Sequence, residues 1–243
     1  MAEVKVNTEL TENYNKYYDD SITEWRELGA ICKAQNIISL SLDKKFENIL
    51  EIGCGDGSVL NRLNESNFGK KLFGLEISES GVERVNKRNI SRLVECKLFD
   101  GYKVPYKDKE FDLVILTHVV EHLEHPRLLL TEALRVGKYV FVEVPLEHTL
   151  WLKNDFVFDS VGHINFYTPK TIRKLVQSCG CRIVKQKVMS ATLGVHRYSS
   201  GALGIIKYYL KKISIFILPK AAPIFFTYHA SLLCTSNNSN ERP

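Results

Sequence analysis

Two sets of residues in this chain have types and spacings suited to chemistry. The first is Glu51-Ile52-Gly53-Cys54-Gly55-Asp56-Gly57-Ser58, with three glycines at alternate positions between the apolar Ile49-Leu50 and a helical pattern. A strand that turns straight into a helix needs backbone conformations, and an approach to a ligand, that a β-carbon obstructs. The following helix aims its unsatisfied N–H groups at that ligand, so the stretch marks a nucleotide-type cofactor site. G-x-G-x-G is neither the dinucleotide spacing G-x-G-x-x-G nor a Walker loop, and no lysine follows to hold a phosphate. The second set is His118, His122, His125, His148 and His163, histidine being the residue that exchanges protons near neutral pH. On a helix starting near Thr117, His118, Glu121, His122 and His125 stand at i, i+3, i+4 and i+7 and share one face. Such a face suits a divalent ion, with His163 as a further ligand.

These residues need a scaffold, and the periodicities supply one. Helical periodicity runs from about 9 to 42, with Trp25, Leu28, Ile31, Ile37 and Leu40 as its apolar positions. Tyr14, Tyr17 and Tyr18 lie in this N-terminal helical cap. Strands are expected at about 47–52, 71–76, 92–98, 111–116 and 138–144, with helices from Ser58 and over about 79–89 between them. Strands alternating with helices imply an α/β, doubly wound parallel sheet that binds ligands at the carboxyl ends of its strands. After Pro145 the pattern changes. Thr168-Pro169 opens a helix as cap and first turn, Cys181–Val188 reads as a strand, and Phe225–Thr235 reads as the last one.

Composition narrows the class. At 243 residues, 44% hydrophobic and 25% charged, the chain suits one globular domain. The net charge of +5 is mild and its charges are scattered, so it reads as a solvated surface; no DNA partner is expected. Six cysteines without a paired C-x-x-C read as free thiols. The polar start, Met1-Ala2-Glu3-Val4-Lys5, has no apolar signal region, which leads us to expect a cytoplasmic protein.

Read with its acidic lead residue, the glycine loop resembles motif I, E/D-x-G-x-G-x-G, of the class I S-adenosylmethionine (SAM)-dependent methyltransferases. Leu72–Ser78 is similar to the family's second strand, Phe99-Asp100-Gly101 to its adenine-binding turn, and Phe111–Leu123 to its fourth strand and the segment that follows. The resemblance implies SAM as cofactor and a Rossmann-like seven-stranded sheet, mostly parallel with an antiparallel last strand and helices on both faces. It divides the chain into a cap (1–45), a SAM-binding core (46–145), an acceptor-side region (146–236) and a tail (237–243). An insertion of about 191–223 then separates the last two strands.

By the same resemblance Glu51, Gly53, Cys54, Gly55 and Gly57 surround the methionine end, Glu76 and Ile77 the ribose, Asp100 and Gly101 the adenine, and Leu116 and Thr117 line the cofactor from strand four. Gly162-His163-Ile164-Asn165-Phe166-Tyr167-Thr168-Pro169 is similar to a G-H-x-x-x-[FY]-[FY]-[TS] segment at the mouth of the acceptor pocket in a bacterial branch. Hence His118 and His163 are the expected catalytic residues. H-x-x-E-H at 118–122 also resembles the metal-approaching E-x-x-E-H of ubiquinone-type O-methyltransferases and small-RNA 2′-O-methyltransferases. Since His118 replaces the leading glutamate, the reading assigns no metal and keeps His118, Glu121 and His122 as the alternative set.

The expected reaction is methylation of a small-molecule acceptor, with a hydroxyl favoured. Methylation of RNA or a peptide is the alternative, and a non-catalytic SAM-binding regulatory protein the alternative of another class. The apolar and basic stretch 203–218 is expected to act as a lid for a hydrophobic substrate, a peripheral membrane contact or a packed helix, and the oligomeric state is left open.

Overall fold

The computed structural model describes residues 23–155 and 162–237. Tyr14, Tyr17 and Tyr18, the start of the expected cap helix and most of the expected tail lie outside these residues. The described chain opens with α1 (Thr23–Ser41), followed by β1 (Asn48–Ile52), α2 (Ser58–Glu65), β2 (Lys71–Glu76), α3 (Glu79–Lys87), β3 (Leu93–Leu98) and β4 (Phe111–Thr117). After a 3-10 turn at Val120–His122 come α4 (Pro126–Val136), β5 (Gly137–Pro145), α5 (Pro169–Ser178), β6 (Cys181–Met189), α6 (Leu193–Ile217), α7 (Ala222–Phe225) and β7 (His229–Ser236).

The seven strands form one sheet in the order β3-β2-β1-β4-β5-β7-β6. The first five run parallel, and β7 lies antiparallel between β5 and β6. Strand order reverses between β1 and β4, and the crevice at such a switch point is where open α/β sheets bind ligands.

Both faces of the central strands are buried, and the two-residue period of a strand sorts their side chains between two cores. Leu50, Ile52, Val114, Leu116, Val140, Val142 and Leu232 join one core. Ile49, Leu113, Ile115, Phe141 and Leu233 join the other, under Ile37 and Leu40 of α1. Continuing this second row toward the carboxyl edge, the same parity presents Glu51, Thr117, Glu143 and Ser231. One face therefore changes from apolar to polar within a single strand repeat.

Two expected elements are corrected. The helix starting near Thr117 does not form: His118 adopts φ +57°, only a 3-10 turn follows, and His125 is non-helical before α4, with φ −123° and ψ 64°. Pro126 explains the boundary, because its ring disfavours helical backbone at the preceding residue and pre-sets the first turn of the next helix. The last strand begins at His229 rather than Phe225, since Pro223 sits in the first turn of the short α7. Thr168 does cap α5, in a reciprocal capping box with Thr171. Between the last two strands α6 is broken at Gly201, whose φ of 55° and ψ of −134° suit a residue without a β-carbon.

Candidate active site

The glycine loop leaves β1 at Ile52 with positive φ at Gly53 (72°), Gly55 (57°) and Gly57 (77°). Each is a left-handed conformation that favours glycine, and a β-carbon on Gly53 would also come within 2.6 Å of Val119 Cγ2. The loop satisfies much of its own hydrogen bonding. Gly53 and Cys54 N–H both donate to the Leu75 carbonyl (2.7 and 3.1 Å), and Gly57 N–H donates to the Cys54 carbonyl (2.9 Å). Gly55 N–H donates to Glu76 Oε2 at 2.8 Å. With these amides occupied and carboxylates beneath, the loop is no phosphate nest; it is a tightly turned backbone, packed against Val119 and Val85, over an acidic floor.

Glu51 and Glu76 are that floor. Glu51 is 1% exposed, its Oε1 accepts from Thr117 Oγ at 3.3 Å, and its Oε2 is buried without a hydrogen-bond partner. Burial pushes its carboxyl up to about 8, against the opposing pull of the Lys33 ammonium and the Thr117 hydroxyl. An orphaned carboxylate oxygen in that setting calls for a cationic donor.

Glu76 ends β2, accepting from Gly55 N–H and from the backbone and hydroxyl of Ser78. Ile77 beside it is half-buried. Asp100 follows β3, its Oδ1 accepting from Tyr102 and Lys103 N–H (2.9 and 2.7 Å), with Gly101 at φ 90° completing the turn. Leu116 and Thr117 close β4 and are buried. The Cys54 side chain instead points away from a ligand, into the second core, 3.6 Å from the Cys96 sulfur. The residues expected to surround the cofactor thus cluster along the carboxyl ends of β1 to β4, and they fit a ligand that is cationic at one end and carries no phosphate.

Asp56, which sequence reasoning passed over, fastens the loop. Its Oδ2 pairs with Arg26 of α1 (2.9 Å) and Arg88 after α3 (3.0 Å), and its Oδ1 accepts from Ser58 N–H and hydroxyl. Glu27 bridges Arg88 and Arg62 at 2.8 and 2.6 Å.

Beyond the loop lies a row of alternating imidazoles and carboxylates. His118 Nδ1 is 3.3 Å from Glu121 Oε1, and His118 Nε2 is 3.7 Å from Glu143 Oε1. His229 Nδ1 is 3.7 Å from the same Glu143 oxygen. On the other side His163 Nε2 is 4.0 Å from Glu121 Oε1, and His163 Nδ1 meets Glu147 Oε2 at 2.7 Å. Burial lowers His118 well below the usual imidazole range and His229 to about 3, so both are neutral. Burial raises Glu121 to about 7.

His122 packs beside His163, with its Nδ1 3.1 Å from the Gly162 carbonyl. His125 and His148 are exposed and stand apart from the row. Within 162–169 the labour is divided. Asn165 donates to the Leu123 carbonyl (2.8 Å) and, with Ile164, holds the Glu121 carbonyl, whereas His163 faces the acids. His118, Glu121 and His122 do not converge on one point, because His118 turns toward Glu143 and His122 toward His163. Glu143, Glu147 and His229 had no motif to announce them.

A family model described as a methyltransferase domain matches residues 23–186. Ajmaline N-methyltransferase of Rauvolfia serpentina is 28% identical over 110 residues, 44% of this chain and 38% of that protein. A probable chloroplastic tocopherol O-methyltransferase of Oryza sativa subsp. japonica is 29% identical over 99 residues, 39% of this chain and 27% of that protein. The chain thus spans about a third of the length of these curated relatives. Among solved structures, geranyl diphosphate C-methyltransferase of Streptomyces coelicolor A3(2) superposes with a TM-score of 0.66 at 11% identity, over 96% of this chain and all of that one. That likeness speaks to the fold.

Proposed function

The chain belongs to the methyltransferase-domain family, within the class I SAM-dependent superfamily, and we propose that it transfers a methyl group from SAM to a hydroxyl of a small-molecule acceptor. The observation that carries the proposal is Glu51: a buried carboxylate with one unpartnered oxygen, at the switch point, under a glycine cradle. SAM supplies an electrophilic methyl group on a sulfonium and an ammonium at its methionine end. Glu51 accepts that ammonium, the backbone of the glycine loop lies along the methionine chain, and Glu76, Ile77, Asp100 and Gly101 take the ribose and adenine.

In an in-line displacement, holding the acceptor oxygen in near-attack geometry supplies much of the rate. The C–O bond forms as the C–S electrons return to sulfur, and the acceptor proton must leave. We assign His163 to take it. Glu147 holds its Nδ1 and stabilises the imidazolium, and Nε2 points at the interior of the acidic row. Relatives that methylate nitrogen and oxygen bear on the superfamily chemistry; the choice of oxygen rests on this histidine–carboxylate pair.

The exposed Leu203, Ile206, Tyr209, Leu210, Ile213 and Phe216 of α6, interspersed with the exposed Lys207 and Lys212, support an amphiphilic acceptor and contact with an anionic lipid surface. No described helix is long and apolar enough to cross a membrane.

Calorimetry with S-adenosylhomocysteine tests the cofactor assignment. In the free protein Glu51 is largely protonated at pH 7, because its carboxyl titrates at about 8. An ammonium against it lowers that value, so binding is expected to release close to one proton at pH 7 and almost none above pH 9, measured from heats in buffers of different ionisation enthalpy. Glu51→Gln should abolish the release and weaken binding. Binding without proton release would remove the ammonium from Glu51, and absence of binding would sink the cofactor assignment. The acceptor class is then read from S-adenosylhomocysteine formation with phenols, hydroxy acids and amines of matched size. Turnover of amines alone would overturn the hydroxyl reading.

A further inference from the structure

We propose that His118 Nε2, Glu143 Oε1 and His229 Nδ1 form a mononuclear site for a divalent transition-metal ion, of which Zn2+ is the natural probe. These three atoms are buried and lack any hydrogen-bond partner. They lie within 4.8 Å of one another, with both nitrogens 3.7 Å from the shared carboxylate oxygen. A tetrahedral ion with bonds of about 2.0–2.2 Å separates its ligands by about 3.3–3.6 Å, so an ion fits with small side-chain shifts. Two imidazoles and one carboxylate favour a borderline first-row ion over Mg2+, which prefers oxygen.

The fold builds this site from three adjacent strands. Glu143 of β5 pairs with Thr117 of β4 on one side and Ser231 of β7 on the other. His229 lies two residues before Ser231 and shares its face, and the left-handed turn at His118 brings that imidazole back over Glu143. Outer contacts orient the ligands. Asn36 Nδ2 and Ser231 Oγ both donate to Glu143 Oε2, at 2.9 and 2.6 Å, which leaves Oε1 facing the imidazoles. Glu121 Oε1 lies 3.3 Å from His118 Nδ1 without a hydrogen bond between them, and a small turn of the ring on binding an ion would make the carboxylate–histidine–metal contact that sets the imidazole tautomer.

His122 and Glu121 are outside the ligand set, which therefore differs from the 118–122 motif. Three protein ligands leave a fourth position open. His118 directly follows Thr117, the partner of Glu51, so the open position lies at the carboxyl edge assigned to the acceptor. Only this orientation toward the acceptor rests on the proposed function; ion binding itself does not require it. An acceptor oxygen held there would part with its proton more readily.

The test is metal uptake by the full chain, stripped with a chelating resin and titrated with Zn2+ against a chromophoric competitor, then with Co2+ by visible absorption. One equivalent is expected, with the bands of four- or five-coordinate Co2+. His229→Ala should weaken uptake about tenfold to a hundredfold while keeping the melting temperature and S-adenosylhomocysteine affinity. His229→Gln replaces it should the alanine variant fail to fold. His163→Asn should leave uptake unchanged. No stoichiometric uptake at 100-fold excess Zn2+ would overturn the proposal, as would uptake insensitive to His229. Loss in His163→Asn with His229→Ala unaffected would place the ion on Glu121, His122 and His163 instead. Because homocysteine-product binding is measured separately, failure of the metal site and failure of the methyltransferase reading are distinguishable.

Discussion

Replacing His163 with asparagine is expected to lower kcat by about 10²–10⁴-fold, the usual contribution of a positioned general base, while leaving the Kd for S-adenosylhomocysteine unchanged. The expectation follows from the dyad geometry and from the proposed function: Glu147 Oε2 at 2.7 Å from Nδ1 fixes the ring, and Nε2, 4.0 Å from Glu121 Oε1, is the nitrogen to which we assign the acceptor proton. Asparagine preserves size and polarity but accepts no proton, so binding and chemistry separate in the measurement. Glu147→Gln should reproduce part of the loss, because a neutral amide stabilises an imidazolium poorly. Both variants act on kcat measured with saturating acceptor. A full-rate His163→Asn enzyme would return the base role to another group and remove this histidine from the chemistry.

Asp56→Ala is expected to destabilise the protein by about 3–5 kcal/mol, the range for removing one partner from a buried ion pair. It is also expected to weaken cofactor binding, because the glycine loop loses its anchor. Asp56 is 5% exposed and is the carboxylate that Arg26 and Arg88 share. Without it two largely buried guanidiniums lose that common partner, and the loop loses its tie to α1. The pH dependence gives a second check. Burial raises the Asp56 carboxyl, but the Ser58 hydrogen bond and the Arg88 and Arg26 charges outweigh it and hold the carboxyl below its ordinary value. A depressed carboxyl contributes stability above its unfolded value, near 4, and that stability is lost as pH falls through the folded one. Urea titrations of Asp56→Ala should therefore show a flatter acid limb than the parent. An unchanged midpoint at pH 7 would show that the network is dispensable.

The cofactor half of the site was legible in the sequence because its parts are local. Gly53, Gly55 and Gly57 are required by backbone conformations of one turn, and Glu51, Glu76, Asp100 and Thr117 sit at strand ends that hydrophobic runs delimit. The acceptor half was legible only in fragments. His118 and His163 stood out as titratable residues in suggestive places, yet periodicity put His118 on a helix that its own left-handed backbone breaks. Its left-handed backbone turns it toward Glu143, away from His122. Asp56 was hidden for a different reason, since an acid in a glycine loop looks like spacing until Arg26 and Arg88 arrive from separate helices.

By itself, then, the sequence determined the class of sheet, the glycine cradle and the acidic floor beneath it, because each part is fixed within its own strand–turn–helix unit, Glu51 at the end of β1 and Glu76 at the end of β2. Only the tertiary structure decided that Glu143 and His229, 86 positions apart, meet His118. That meeting depends on β7 inserting antiparallel beside β5, and pairing register between distant strands leaves no periodic trace in either strand alone.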